Sequence, residues 1–151
     1  MYNKILVPID GSPASKRGLT EALRLAKYHK ARVRLIHVVD VFIVTPTFES
    51  GPYVDDIQKS FREDGRRLLN KAEALVRKHG LSVDSVMFEI VGGHAADIIV
   101  AQAKKWRADI IVIGTHGRRG LRRLVMGSDA EEVVRTSPVP VLLVRPKRSG
   151  D

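Results

Sequence analysis

Five short apolar runs alternate with four segments of helical period along the chain, and this alternation restricts the fold more than any other feature. Lys4 to Asp10 (KILVPID) is an apolar run ending in a turn and reads as a buried strand. Ser12 then suits a helix N-cap, and Pro13 suits the first helical position, where a missing N–H costs nothing. Leu19, Ala22, Leu23 and Ala26 recur at i, i+3, i+4 and i+7, as one helix face should. Arg32 to Val39 is rich in β-branched residues and predicts a second strand. Asp55 to His79 predicts a helix that turns Leu68, Ala72, Leu75 and Val76 to the core and stops at Gly80. Val83 to Val91 predicts the third strand. Gly92–Gly93 turns into a third helix with Ile98, Ile99, Ala103 and Trp106 as its apolar side. Asp109 to Gly114 predicts the fourth strand. Ser128 opens a short helix with Ala130, Val133 and Val134 inward, and SPVPVLLVRP predicts the fifth strand.

The order βαβαβαβαβ calls for parallel strands joined by right-handed crossovers, with helices on both faces. The expected architecture is therefore α/β and Rossmann-like: a five-stranded parallel sheet in the order 3-2-1-4-5. A chain of 151 residues suits one domain with a sizeable core. No linker, composition shift or repeat divides it, so residues 1–147 are expected to form a single domain and 148–151 a flexible tail. Val41 to Tyr53 carries Pro46, Gly51 and Pro52 without a period and reads as a long surface loop, of a kind that is often functional.

Several classes of function are excluded or disfavoured. The chain has no cysteine, which removes disulfides and thiolate metal sites. No apolar run approaches the ~20 residues of a membrane span. MYNK leads directly into a strand, so no signal peptide is expected, and a cytoplasmic protein without a membrane partner is the expectation. A net charge of +9, from 26 basic and 17 acidic residues, suits an anionic partner such as a nucleotide or nucleic acid; it equally suits a protein that is simply basic.

In a doubly wound sheet the ligand lies beyond the C-terminal strand ends, where the strand order reverses. Here that point falls between strands 1 and 4, so Asp10 and Gly114 should be neighbours. Gly114 begins the densest unusual stretch of the chain, GTHGRRGLRRLVMGSD, with four glycines and two arginine pairs. Gly114 and Gly117 flank a tight turn directly off strand 4. Gly127–Ser128 opens the next helix, whose free amides and dipole favour an anion. Glycine permits the close backbone approach that a phosphate cradle needs. An ordinary strand–loop–helix connection would also explain glycines here. The Walker pattern and G-x-G-x-x-G after strand 1 are both absent, and no HExxH or other metal-ligand pair stands out. A phosphoreceiver domain would want clustered acids at strand 1 and a lysine after strand 4; the chain offers Asp10 alone and GTHG.

The spacing Gly114-x-x-Gly117, nine residues, then Gly127-Ser128 resembles the G-2x-G-9x-G-[S/T] pattern of the universal stress protein family. KILVPIDGS, IHVV and SPVPVLLVRP occur in the matching order, so the resemblance covers nearly the whole chain. It implies an α/β fold that binds ATP. By position, Pro8, Ile9 and Asp10 would line the adenosine side, and Val38 and Val39 would meet the adenine. Gly114, His116, Gly117, Gly127, Ser128 and Asp129 would surround ribose and phosphates. Asp10 reads either as a helix-entry residue near Ser12 or as the carboxylate that meets a Mg²⁺ placed between it and the phosphates. The resemblance also implies a homodimer through the last strand, which fits an apolar edge at Val139 to Val144 whose pairing Pro138 and Pro140 restrict.

Two positions depart from the family's pattern. Asp129, followed by Glu131 and Glu132, stands where an apolar residue is usual, and His94 stands where proline is frequent. Acids in a first helical turn suit the dipole but oppose a triphosphate unless Mg²⁺ or the arginines offset them. Arg118 with Arg122, and Arg119 with Arg123, would share faces in a helix, one pair facing a phosphate or partner and the other water. Three functions follow. The first is an ATP-binding regulatory module that sets a loop or dimer state; the second is a slow Mg²⁺-dependent ATPase or phosphotransferase. The third, binding to a nucleic-acid backbone, is disfavoured because no aromatic interleaves with the basic cluster. No residue is assigned a catalytic role, and His37 is read as structural.

Overall fold

The computed structural model describes residues 1–41, 53–116 and 126–146. Its elements run β1 (Lys4–Pro8), α1 (Pro13–His29), β2 (Arg32–Asp40), α2 (Tyr53–Lys78), β3 (Val83–Ile90), α3 (Ala95–Trp106), β4 (Ile110–Gly114), α4 (Ser128–Thr136) and β5 (Val141–Val144). All strand pairs are parallel and the sheet order is β3-β2-β1-β4-β5, as expected from the alternation. Ile5 is aligned with Val33 of β2 on one side and Ile110 of β4 on the other, so β1 is the central strand.

The continuous apolar runs have a direct cause: β1, β2 and β4 are covered on both faces. Ile5, Val7, Val33, Leu35 and Val112 pack beneath α1 and α2 with Leu19, Leu23, Leu69 and Val76. Leu6, Ile36, Ile111 and Ile113 point to the other face, against Ile99, Ala103 and Trp106 of α3 and Ala130 and Val133 of α4. Each large aliphatic side chain buried in this way contributes about 1.5–3 kcal/mol.

Local chemistry sets the element ends. Ser12 caps α1 by accepting from the Ser15 N–H at 3.1 Å, with Pro13 at the helix start as predicted. The helix closes without glycine, through Lys30 in the left-handed region (φ 57°), whose N–H donates to the Ala26 carbonyl. β1 begins where Asp109 Oδ2 accepts from the amides of Asn3 (2.7 Å) and Lys4 (2.9 Å). Two predicted helix faces are rotated. In α2 the buried row is Leu69, Ala72 and Val76, Leu68 packs at its margin, and Leu75 is 40% exposed. In α4, Ala130 and Val133 are buried while Val134 is 44% exposed. In both helices neighbouring apolar residues offer two competing rows, and the tilt of the helix on the sheet selects one. Among the described residues no helix is long and apolar enough to cross a membrane.

Candidate functional site

The sheet order brings the C-terminal ends of β1 and β4 side by side, and their following turns are bonded to each other. The turn after β1 is closed internally: Asp10 Oδ1 accepts from the Ser12 amide at 2.9 Å, and the Asp10 amide donates to Ser15 Oγ at 3.1 Å. The Ser12 hydroxyl, which caps α1, also donates to the His116 carbonyl at 3.3 Å. On the β4 side, buried Thr115 donates its amide to the Val144 carbonyl (2.9 Å) and accepts from the Gly127 amide (2.7 Å). Its hydroxyl lies 2.9 Å from His116 Nδ1. Thr115 therefore pins the start of α4 to the end of β4.

Gly114 is explained by packing. A Cβ there would stand 2.6 Å from the Ala14 carbonyl carbon and 2.8 Å from the Ser15 nitrogen. The first turn of α1 lies directly on the β4 backbone, and Gly18 continues the close approach: a Cβ there would stand 3.3 Å from the Gly114 nitrogen. Bare backbone at Gly114 thus lets α1 aim its N-terminus into the crevice.

The two helix starts at the crevice differ. That of α1 is capped by its own serine. That of α4 has Gly127 as N-cap and no side-chain cap bond. The first amides of any helix lack intrahelical partners, so the α4 start, without a side-chain cap among the described residues, presents backbone donors and the positive end of its dipole. Ser128 is exposed at that start.

Asp129 is directed elsewhere. Its Oδ1 accepts from the Ala96 amide at 3.2 Å, in the first turn of α3. The α3 N-cap residue, His94, makes no side-chain cap bond, so Asp129 supplies that cap from the neighbouring helix. Nothing in the sequence near Asp129 signals this, because its partner lies 33 residues away and belongs to another helix.

On β2, adjacent residues face opposite sides of the sheet. Val38 is half-buried on the α3/α4 face beside Val86 and Phe88, and Val39 is buried. Of this pair Val38 has surface left for a ligand on that face. Pro8 is partly buried and Ile9 is buried at the end of β1. Gly117 and the arginines at 118, 119, 122 and 123 lie outside the described residues, as does most of the loop expected from Val41 to Tyr53.

Among the described residues no three histidine, aspartate or glutamate side chains come together as a metal site. A Mg²⁺ arriving with a nucleotide needs less: one or two carboxylates, with phosphates and water completing its shell. A second cleft, about 380 Å³ and lined by Lys27, Lys30, Ala31, His79, Gly80, Leu81 and Ser82, opens where α1 and α2 end, at the opposite pole of the sheet.

Comparison with known proteins gives the same architecture. The sequence model of the Universal stress protein family matches residues 1–145. The chain is 37% identical over 151 residues to Universal stress protein MJ0531 of Methanocaldococcus jannaschii, covering 98% of this chain and 85% of that protein. The solved structure of MJ0577, from the same organism, superposes with a TM-score of 0.84 at 26% identity, covering 99% of each chain. A universal stress family protein from Arabidopsis thaliana, solved with AMP bound, superposes with a TM-score of 0.71 at 20% identity, covering 96% of this chain and 92% of that one. The family match and the MJ0531 relative span nearly the whole sequence, and the chain belongs to the universal stress protein family.

Proposed function

We propose that this protein is an ATP-binding regulatory module, and that bound nucleotide sets the state of a surface loop or of a dimer. The observation that carries the reading is the joined pair of turns at the sheet's switch point. The start of α4, which carries no side-chain cap bond among the described residues, is held to the end of β4 by the Thr115–Gly127 bond, and His116, next to Thr115, is held to the α1 turn by the Ser12 hydroxyl. Such a start, with a serine at its first position, suits phosphate oxygens. Pro8, Ile9 and Val38 supply the apolar flank for an adenine ring, and Asp10 a carboxylate for the accompanying Mg²⁺. The AMP bound to the Arabidopsis relative supports an adenine nucleotide as the ligand class.

Asp129 fits the proposal in an unexpected way. A carboxylate beside a triphosphate is repulsive, but this one is engaged by the α3 start, which draws its charge away from the α4 amides. The dimer part of the proposal is supported by β5, an edge strand that leaves Leu142 and Leu143 exposed, with exposed Val134 of α4 nearby in sequence.

Mass spectrometry of small molecules released from purified, denatured protein tests the reading. Recovery of ATP, ADP or AMP in near-stoichiometric amount is the expected result. Absence of any adenine nucleotide, together with no heat of ATP binding to the stripped protein, would remove it.

A further inference from the structure

Ile9 is the residue from which the Asp10 turn departs, and β2 holds it by both backbone polar groups. Its amide donates to the Ile36 carbonyl at 2.8 Å. β1 ends at Pro8, so the Ile9 carbonyl lies past the last paired residue, and the ring of His37 takes it: Nδ1 is 2.7 Å from that oxygen. A carbonyl oxygen only accepts, so the proton is assigned to Nδ1. His37 is 7% exposed, in a strand where aliphatic residues would otherwise fill the α2 face.

α2 is cut to fit this ring. A Cβ at Gly65 would stand 2.8 Å from His37 Cδ2, 3.2 Å from its Nε2 and 2.9 Å from Met87 Sδ. Glycine in mid-helix weakens a helix relative to alanine, and here its missing side chain leaves room for an imidazole against the sheet. Beyond Ile9 the bonds run on without a gap. The Asp10 amide reaches Ser15, the Asp10 carboxylate holds the Ser12 amide, and the Ser12 hydroxyl reaches the His116 carbonyl. The ring, seated by Gly65, is therefore joined by a bonded path to the candidate phosphate cradle.

We propose that His37 is a positioning residue for the nucleotide site: through the Ile9 carbonyl it fixes the Asp10–Ser12 turn and so the β1 wall of the crevice. The proposal rests on the nucleotide reading for its effect on affinity, and on the turn alone for its effect on backbone order.

The test compares wild type with His37→Leu, His37→Asn, Gly65→Ala and the Gly65→Ala/His37→Leu double variant, all stripped of nucleotide. Titration calorimetry with Mg²⁺·ATP and amide exchange of Gly11, Ser12 and Ser15 in the nucleotide-free proteins are measured below each thermal midpoint. In His37→Leu, affinity is expected to fall about tenfold, and in His37→Asn, whose amide nitrogen can take the place of Nδ1, to stay within about threefold of wild type. Gly65→Ala, which presses on the ring from α2, is expected to weaken binding alone but to add little to His37→Leu, because the two act through one contact. The turn amides should exchange faster in His37→Leu while those of β4 do not. Wild-type affinity and wild-type exchange in His37→Leu would overturn the proposal, as would equal losses in His37→Leu and His37→Asn. Should His37→Leu not fold, Gly65→Ala decides: wild-type affinity and wild-type turn exchange in that variant overturn the proposal. Faster turn exchange in His37→Leu, with wild type itself taking no nucleotide, would support the anchoring role and sink the nucleotide reading instead.

Discussion

Gly114 and Asp129 are the residues whose meaning the structure alters most. The sequence pattern associates Gly114 with phosphates, but its missing Cβ is required first by α1, whose Ala14 and Ser15 backbone occupies that space. In Gly114→Ala, either α1 or β4 must shift, and overpacking of this kind costs about 1–3 kcal/mol. Denaturant unfolding should show that loss with or without nucleotide present. Asp129 reads as a repulsive acid beside an anion, yet its carboxylate caps α3 through the Ala96 amide. Asp129→Ala should cost about 1 kcal/mol of stability, as loss of a helix cap does. ATP affinity measured by calorimetry should change by less than about threefold in the same variant, because the carboxylate is drawn to α3 and away from the phosphates. A large gain in affinity would mean that Asp129 faces the ligand after all. Neither role was legible locally, since both depend on a partner helix brought close only by the sheet.

At the scale of elements, strands were easier to read than helix faces. β1, β2 and β4 are buried on both sides, so their apolar runs are continuous and survive any error in register. α2 offers Leu68, Leu69, Leu75 and Val76, all apolar, and sequence alone cannot choose between rows rotated by one residue. β2 and β3 are also fastened at their N-terminal ends by charge. Arg34 donates twice to Asp84, at 2.6 and 3.0 Å, and Arg32 adds a further bond at 2.9 Å. Arg34 also stacks over Trp106 of α3, with its guanidinium 4.7 Å from the ring centre. Partial burial pushes the Asp84 carboxyl up, but the Arg34 hydrogen bond and the charges of Arg34 and Arg32 together outweigh it and hold it below its ordinary value. A carboxyl lowered in the folded state stabilises the fold above its unfolded value, about 3.9 for aspartate. That contribution declines as pH falls through the folded value. Asp84→Asn should therefore cost about 1 kcal/mol at neutral pH, a figure already reduced for solvent screening, and the difference from wild type should vanish in strong acid. A penalty that persisted unchanged at low pH would assign the effect to packing.

Across the whole molecule, two poles differ in kind. The C-terminal strand ends carry the bonded turns and the uncapped α4 start, whereas the opposite pole carries a cleft lined by Lys27, Lys30 and His79. Composition alone made either end eligible for an anion, because +9 is a property of the entire chain. The strand order, read from alternation, was what pointed to the first pole by placing Asp10 beside Gly114. The β5 edge belongs to the same scale: Leu142 and Leu143 stay exposed on a strand with one free side. If β5 forms a dimer, Leu143→Lys should shift the protein to monomer in sedimentation at micromolar concentration; an unchanged sedimentation coefficient would assign the dimer to another surface. The central claim is that a nucleotide's phosphates rest on the α4 start. Backbone amide shifts recorded while Mg²⁺·ATP is added to stripped protein test it most directly. The account predicts saturable shifts at Ser128, Asp129 and Ala130, with smaller ones at Gly11 and Ser12. Shifts confined to Lys27, Lys30 and His79, or none at all, would contradict it.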